Sequence, residues 1–260
     1  MDRKIGDIIL EMKNISLAFG GVKALTDISF DVREHEVRAI IGPNGAGKSS
    51  MLNVISGVYR PQQGEINFRG QVRKDMNTYD TAKSGVARTF QNIALFAGMS
   101  VLDNVMTGRS LQMKSNFLAQ ALCLPSARRE EFENRKKVEE IIDFLELQSV
   151  RKTPVARLPY GIKKRVELAR ALAANPSILL LDEPMAGMNV EEKQDMCRFI
   201  LDVNDQYGST IILIEHDMGV VMDLSDRVVV LDYGRKIGDG TPDQVRANQD
   251  VIDAYLGVVH

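Results

Sequence analysis

The sequence predicts an α/β fold, and three patterns carry that reading. Short continuous apolar runs, among them Val37–Ile41, Ile178–Leu181 and Thr210–Ile214, have the length and β-branched content of buried strands. Helical segments follow such runs, clearest over Lys48–Ser56 and Val190–Tyr207. A glycine-rich loop, Gly42–Ser49, joins the first of these strands to the first helix.

In chain order, the first third alternates β-rich runs with turns: Ile8–Ile15, Ile28–Val32, Val37–Ile41 and Glu65–Phe68. Helical signals then cluster from Val101 to Asn175, and strand–helix alternation resumes with Ile178–Leu181 and ends with the strand Arg227–Asp232. There is no internal repeat or low-complexity stretch. We therefore expect an α/β core over residues 1–91 and 176–260, interrupted by a helical insertion over 92–175. A chain of 260 residues is long enough for such a core and subdomain.

Composition narrows the functional classes. Hydrophobic residues at 44% and charged residues at 26% are those of a globular protein. A net charge of -2 gives no support for polyanion binding. The basic clusters Arg128-Arg129, Arg135–Lys137 and Lys163–Arg165 read as solvated faces, the first two interleaved with Glu130, Glu131 and Glu133. No nucleic-acid partner is expected. Cys123 and Cys197 have no metal-like spacing and read as packed thiols of a reducing compartment. Charges interrupt each apolar run before it reaches bilayer length, and the N-terminus is no signal peptide. Any membrane role is thus expected to be peripheral, through partners.

The loop Gly42-Pro43-Asn44-Gly45-Ala46-Gly47-Lys48-Ser49, followed by Ser50, fits the pattern G-x-x-x-x-G-K-[ST]. Glycines let its backbone wrap a polyphosphate, so that N–H groups and a helix N-terminus face the anionic oxygens. Lys48 would then reach the β- and γ-phosphates, and the Ser49 hydroxyl would ligate Mg²⁺. A glycine turn with an exposed lysine looks the same in isolation; the strand–loop–helix setting favours the phosphate cradle. No N-K-x-D guanine-reading motif is present.

The buried run Ser177–Leu181 ends in two adjacent acids, Asp182 and Glu183. Asp182 suits contact with Mg²⁺, directly or through water, and Glu183 suits a general base poising the attacking water. His216 follows the strand Thr210–Ile214 and Glu215, where a histidine can bond a γ-phosphate. His35 and His260 read as surface residues.

The run Leu158-Pro159-Tyr160-Gly161-Ile162-Lys163-Lys164-Arg165, continuing to Leu172 shortly before Asp182, resembles the L-S-G-G-Q signature and helix of ATP-binding-cassette (ABC) transporter ATPases. With Gly42–Ser49, Asp182, Glu183 and His216 in order, the resemblance covers essentially the whole chain. It implies a P-loop nucleoside triphosphatase fold of the ABC type, with an antiparallel β subdomain and a helical subdomain. It also implies ATP and Mg²⁺ as ligands. Phe19 matches the aromatic that stacks on adenine. Gln91 matches the Q-loop glutamine that touches Mg²⁺ and water and bends toward a transmembrane partner. Tyr160 and Gly161 match signature positions that face the nucleotide of a second cassette, and Ala186–Asn189 matches the D-loop crossing between cassettes.

Within that family the chain is most similar to the larger ATPase subunit of branched-chain amino acid uptake systems. Tyr160, the run Glu183-Pro-Met-Ala-Gly-Met-Asn189, the tail Val251–Gly257 and the long insertion after Gln91 carry that likeness. The resemblance implies a second ABC ATPase subunit, permease subunits in the membrane, a solute-binding protein acting indirectly, and a place on the cytoplasmic membrane face. The segment Met113–Leu124 is a candidate for packing near the permease, with ordinary packing inside the subdomain accounting for most of it. Two positions depart from the pattern. Pro159 stands where serine is usual and offers neither hydroxyl nor N–H; Ile162 stands where glutamine is usual. They keep open a weakly hydrolysing ATP-binding module, alongside a soluble ABC ATPase acting on nucleic acid or ribosomes.

Overall fold

The structure is a computed structural model that describes residues 4–73, 77–113 and 125–256. Cys123, His260, Gly257 and most of the segment Met113–Leu124 lie outside the described residues. The chain divides into two compact units. One holds the residues up to Arg88, Ser177–Pro184 and those from Cys197 onward; the other holds Thr89–Pro176 and Met185–Met196.

The first unit has two sheets. Strands β1 (Ile8–Phe19) and β2 (Val22–Arg33) form a hairpin closed by Gly20-Gly21, both at positive φ. This turn chemistry matches the strand twist. With β4 (Gln63–Phe68) and β5 (Gln71–Val72) they make an antiparallel sheet of order β2-β1-β4-β5. The second sheet has order β10-β9-β3-β8-β7-β6. Its members are β3 (Val37–Ile41), β6 (Val86–Arg88), β7 (Ile178–Asp182), β8 (Thr210–Ile214), β9 (Arg227–Asp232) and β10 (Arg235–Gly240). All its pairings are parallel except β9 with β10.

Every residue of β3, β7 and β8 is buried, as continuous apolar runs in a covered parallel sheet require. Helix α1 (Lys48–Ile55) inserts Met51, Leu52, Val54 and Ile55 into one apolar core with residues of both sheets, including Ile15, Ile28, Phe68, Leu180 and Ile212. That core fixes where α1 begins, and so where the loop before it must lie.

The hairpin strands run longer than the apolar runs Ile8–Ile15 and Ile28–Val32, because pairing carries them through polar residues toward the turn. Strands β6 and β10 have no counterpart in the sequence reading. The first has three residues, and the second, Arg-Lys-Ile-Gly-Asp-Gly, lacks strand propensity and is held by pairing along β9.

A charged cluster joins the two sheets. Arg38 on β3 and Glu36 just before it are fully buried, 3.7 Å apart, and Arg38 also pairs with Asp239 on β10. Arg227 on β9 donates two hydrogen bonds of 2.9 Å to Asp31 on β2. Those bonds hold the Asp31 carboxyl below its usual range, while burial raises that of Glu36.

The second unit is helical: α3 (Val101–Thr107), α4 (Pro125–Phe144) and α5 (Tyr160–Ala173), with α2 (Thr78–Lys83) belonging to the first unit. Buried Asn104 donates to the carbonyls of Phe96, Met99 and Ser100 and accepts from the Phe96 amide, which fixes the loop before α3. Buried Arg109 donates to Asn134 on α4 and to the Ala173 carbonyl ending α5. Among the described residues no helix is long and apolar enough to cross a membrane.

Arg38→Ala strands buried Glu36 and is expected to cost about 3–5 kcal/mol in urea unfolding. A loss below about 1 kcal/mol would mean that Arg227 alone suffices to hold the acid.

Candidate functional site

Parallel register brings distant residues to one edge of the six-stranded sheet. Ile40 pairs with Ile214, and Ile214 with Asp182, so β3, β8 and β7 end together. The segments leaving those ends are Gly42–Ser49, Glu183-Pro184 and Glu215-His216. The carboxyl edge of a parallel sheet, where strand order reverses, is where ligands bind in such folds.

The loop after β3 is clamped from outside. Gly42 has φ 147°, and a Cβ there would lie 2.0 Å from the Leu231 carbonyl oxygen. Gly47 has φ 100°, and its Cβ would come within 2.7 Å of the Ala24 carbonyl on β2. Gly234, in the β9–β10 turn, donates to the Ala46 carbonyl at 3.0 Å. Pro43 is half-buried, Asn44 and Gly45 are exposed, Ser49 is exposed and Ser50 half-buried. Lys48, the first residue of α1, is buried and folds back over the loop, donating to the Gly42 and Pro43 carbonyls at 2.8 and 2.9 Å. Burial pushes its ammonium below the usual range, and the nearby Glu183 and Asp182 carboxylates oppose that shift.

Asp182 ends β7 and is buried. Its Oδ2 accepts from Arg88 at 2.8 Å, and the other Arg88 terminal nitrogen donates to Asn53 and Ser56 of the α1 region at 2.6 and 3.1 Å. Glu183 has φ 48°, a left-handed conformation costing on the order of 1 kcal/mol for a side chain of this kind. Its own N–H still bonds the Ile214 carbonyl at 3.0 Å, so the chain turns sharply straight off the ladder. That turn brings Glu183 Oε1 to 2.5 Å from Nε2 of exposed His216. A carboxylate can only accept, so this contact places a proton on Nε2. Phe19 sits at the hairpin end, 44% exposed, with its ring edge-on to Tyr59 at 5.0 Å.

The donor set suits a hard cation shared with phosphates. Ser49 and Asp182 supply oxygens, and among the described residues no group of three or more His, Cys, Asp or Glu side chains could hold a metal alone.

Gln91, Tyr160 and Gly161 belong to the helical unit. Gln91 is exposed, and its carbonyl accepts from Lys164 of α5 at 3.0 Å. Buried Glu167, also on α5, accepts from the amides of Phe90 and Ala94 at 3.3 and 3.5 Å. The loop bearing Gln91 is therefore fastened to the helix that begins at Tyr160. Pro159 is the N-cap of that helix and makes no side-chain cap bond. Tyr160 is half-exposed, and Gly161 is buried beneath Glu192.

Sequence reasoning missed the contacts of Arg88, Tyr59, Lys164, Glu167 and Glu192, each of which acts on a residue distant along the chain.

The ABC transporter family model matches residues 25–186, and a second model, branched-chain amino acid ATP-binding cassette transporter, matches residues 235–260. The chain is 38% identical to the high-affinity branched-chain amino acid transport ATP-binding protein BraF of Pseudomonas aeruginosa, over 96% of this chain and 98% of that protein. It is 36% identical to LivG of Escherichia coli, a protein of the same description, over 96% and 98% of the two chains. Among solved structures, a cassette of an ABC transporter in its ADP conformation has a TM-score of 0.83 at 30% identity, covering 96% of this chain and 99% of that one. A nucleotide-free cassette has a TM-score of 0.82 at 29% identity, covering 95% and 98%.

The packing around the loop separates its glycines. Gly42→Ala drives a methyl into a backbone carbonyl and is expected to cost more than about 3 kcal/mol, whereas Gly45→Ala, in open space, pays only about 1 kcal/mol of backbone strain. Equal losses in thermal or urea unfolding would contradict the outer clamp.

Proposed function

The chain belongs to the ABC transporter family, and from that premise we propose that it is the ATP-hydrolysing subunit of an importer for branched-chain amino acids or related amino-acid-like solutes. The observation that carries hydrolysis is the Glu183 carboxylate, held 2.5 Å from His216 by a left-handed turn. It stands close enough to Lys48 to influence its ammonium.

In this reading the loop Gly42–Ser50 receives the ATP phosphates with its backbone N–H groups. Lys48 exchanges its two loop carbonyls for β- and γ-phosphate oxygens, which are better acceptors for an ammonium. Ser49 and Asp182, with Gln91, would hold Mg²⁺, which when bound neutralises charge on the β- and γ-oxygens. Arg88 holds the buried Asp182 carboxylate in place. Glu183 takes the proton of the attacking water as general base. His216 holds Glu183 through Nε2–H and passes that donor to a γ-phosphate oxygen once the phosphate arrives. Phe19 stacks on adenine, with Tyr59 fixing its ring.

We assign the nucleotide-binding core to residues 1–91 and 176–260 and the helical subdomain to 92–175. Tyr160 and Gly161 would meet the nucleotide of a second cassette. ATP then favours a closed pair because its γ-phosphate contacts both chains, and hydrolysis removes that contact. The Gln91 loop, fastened to the signature helix by Lys164 and Glu167, would transmit closure to permease subunits at the cytoplasmic membrane face. A solute-binding protein would act on the far side.

Glu183→Gln is expected to keep ATP affinity, slow hydrolysis by roughly 10²–10⁴ and accumulate an ATP-dependent dimer. Single-turnover kinetics and sizing with MgATP measure both, and unchanged turnover would remove Glu183 from the reaction. Permeases for an unrelated solute, co-purifying from native membrane, would overturn the transport assignment.

A further inference from the structure

Glu192 lies in the first turn of α6 (Val190–Tyr207) and is half-buried. Its two carboxylate oxygens have different surroundings. Oε2 accepts from the Asn189 amide at 3.1 Å, and Asn189 Oδ1 accepts from the Glu192 amide at 2.9 Å. This reciprocal pair is a capping box. Oε1 points the other way, over Gly161. A methyl added at Gly161 would come within 2.3 Å of that oxygen and 2.6 Å of the carboxyl carbon. A neighbouring contact reinforces the packing: Gly187, at φ 76°, lies against the Tyr160 ring, where its Cβ would be 3.2 Å from Cε1. The stretch Met185–Met196 accordingly clusters with the helical unit.

We propose that Glu192 is an anionic gate over the signature, displaced when a γ-phosphate of the second cassette reaches Gly161. The proposal rests on reading Tyr160–Gly161 as the surface that receives that phosphate. The space left by the missing Gly161 side chain already holds one negative group, and a carboxylate and a phosphate cannot share it. Arrival of the phosphate turns Glu192 away and opens its box with Asn189. Asn189 ends the segment Ala186–Asn189, so one side chain links occupancy of the signature to the conformation of that turn. Pro159 offers neither hydroxyl nor N–H with which to answer either anion. Glu192 is thus a positioning residue, acting through Gly161 and Asn189 rather than on the reacting atoms.

The gate and the cap can be separated, because glutamine also serves in a capping box but carries no charge. In the Glu183→Gln chain, where hydrolysis does not deplete ATP, Glu192→Gln is expected to lower the ATP concentration for half-maximal dimerisation by about three- to tenfold. ADP affinity and melting temperature should not move, since the P-loop and the cap are intact. Glu192→Ala should shift the ATP requirement the same way while lowering the melting temperature. An unchanged or increased ATP requirement in Glu192→Gln would overturn the gate. As a control on the underlying reading, Gly161→Asp added to Glu192→Gln fixes a negative group to the signature itself, where it cannot turn aside as Glu192 does, and should abolish ATP-driven dimerisation. If that chain dimerises like its parent, the signature reading falls and the gate with it. If it does not dimerise while Glu192→Gln alone leaves the ATP requirement unmoved, only the gate falls.

Discussion

The parallel register of β3, β8 and β7 is the constraint on which the site depends. Val37 pairs with Ile211, Ile40 with Ile214, and Ile214 with Asp182, so three strands from separate parts of the chain stop at one edge. Side chains alternate across a strand, and a one-residue slip would carry Asp182 to the opposite face. Burial of every residue in these strands makes such a slip expensive. The ion pairs of Arg38 and Arg227 tie β2, β3, β9 and β10 into the same frame.

A frame this rigid tolerates strain at its edge. Glu183 is held at φ 48° immediately after a five-residue buried strand, and Gly42 meets a backbone carbonyl too closely for any side chain. Polar groups of the edge are kept occupied by protein partners. Lys48 bonds carbonyls of its own loop, and His216 bonds Glu183. Replacement of one acceptor by a better one changes the geometry without first exposing a buried charge. Gly161 with Glu192 follows the same logic in the helical unit.

The features legible in the sequence were those whose chemistry needs adjacent residues. A phosphate-wrapping loop must be contiguous, a buried parallel strand must be apolar throughout, and an acid pair at its end must follow directly. Through-space contacts were not legible: Arg88 meets Asp182 across 94 positions, and nothing near Arg88 marks it as the partner. Strand β10 escaped notice because its residues are polar and its partner supplies the order. Pro159 was visible as a departure from the usual serine, yet the carboxylate lying over the neighbouring glycine was not. The sequence offers His216 as a partner for phosphate; the geometry shows Glu183 as its partner.

Whether each ATP is shared between the P-loop of one chain and the Gly161 helix of another is decided most directly by mixing two inactive chains. One carries Lys48→Ala. The other carries Gly161→Asp with Glu192→Gln, which removes the like charge beside the new side chain. In a mixed dimer both defects fall on one composite site and leave the second whole, so ATPase activity should return in part where neither chain alone has any. Mixed dimers that form and remain inactive would contradict a site built in trans.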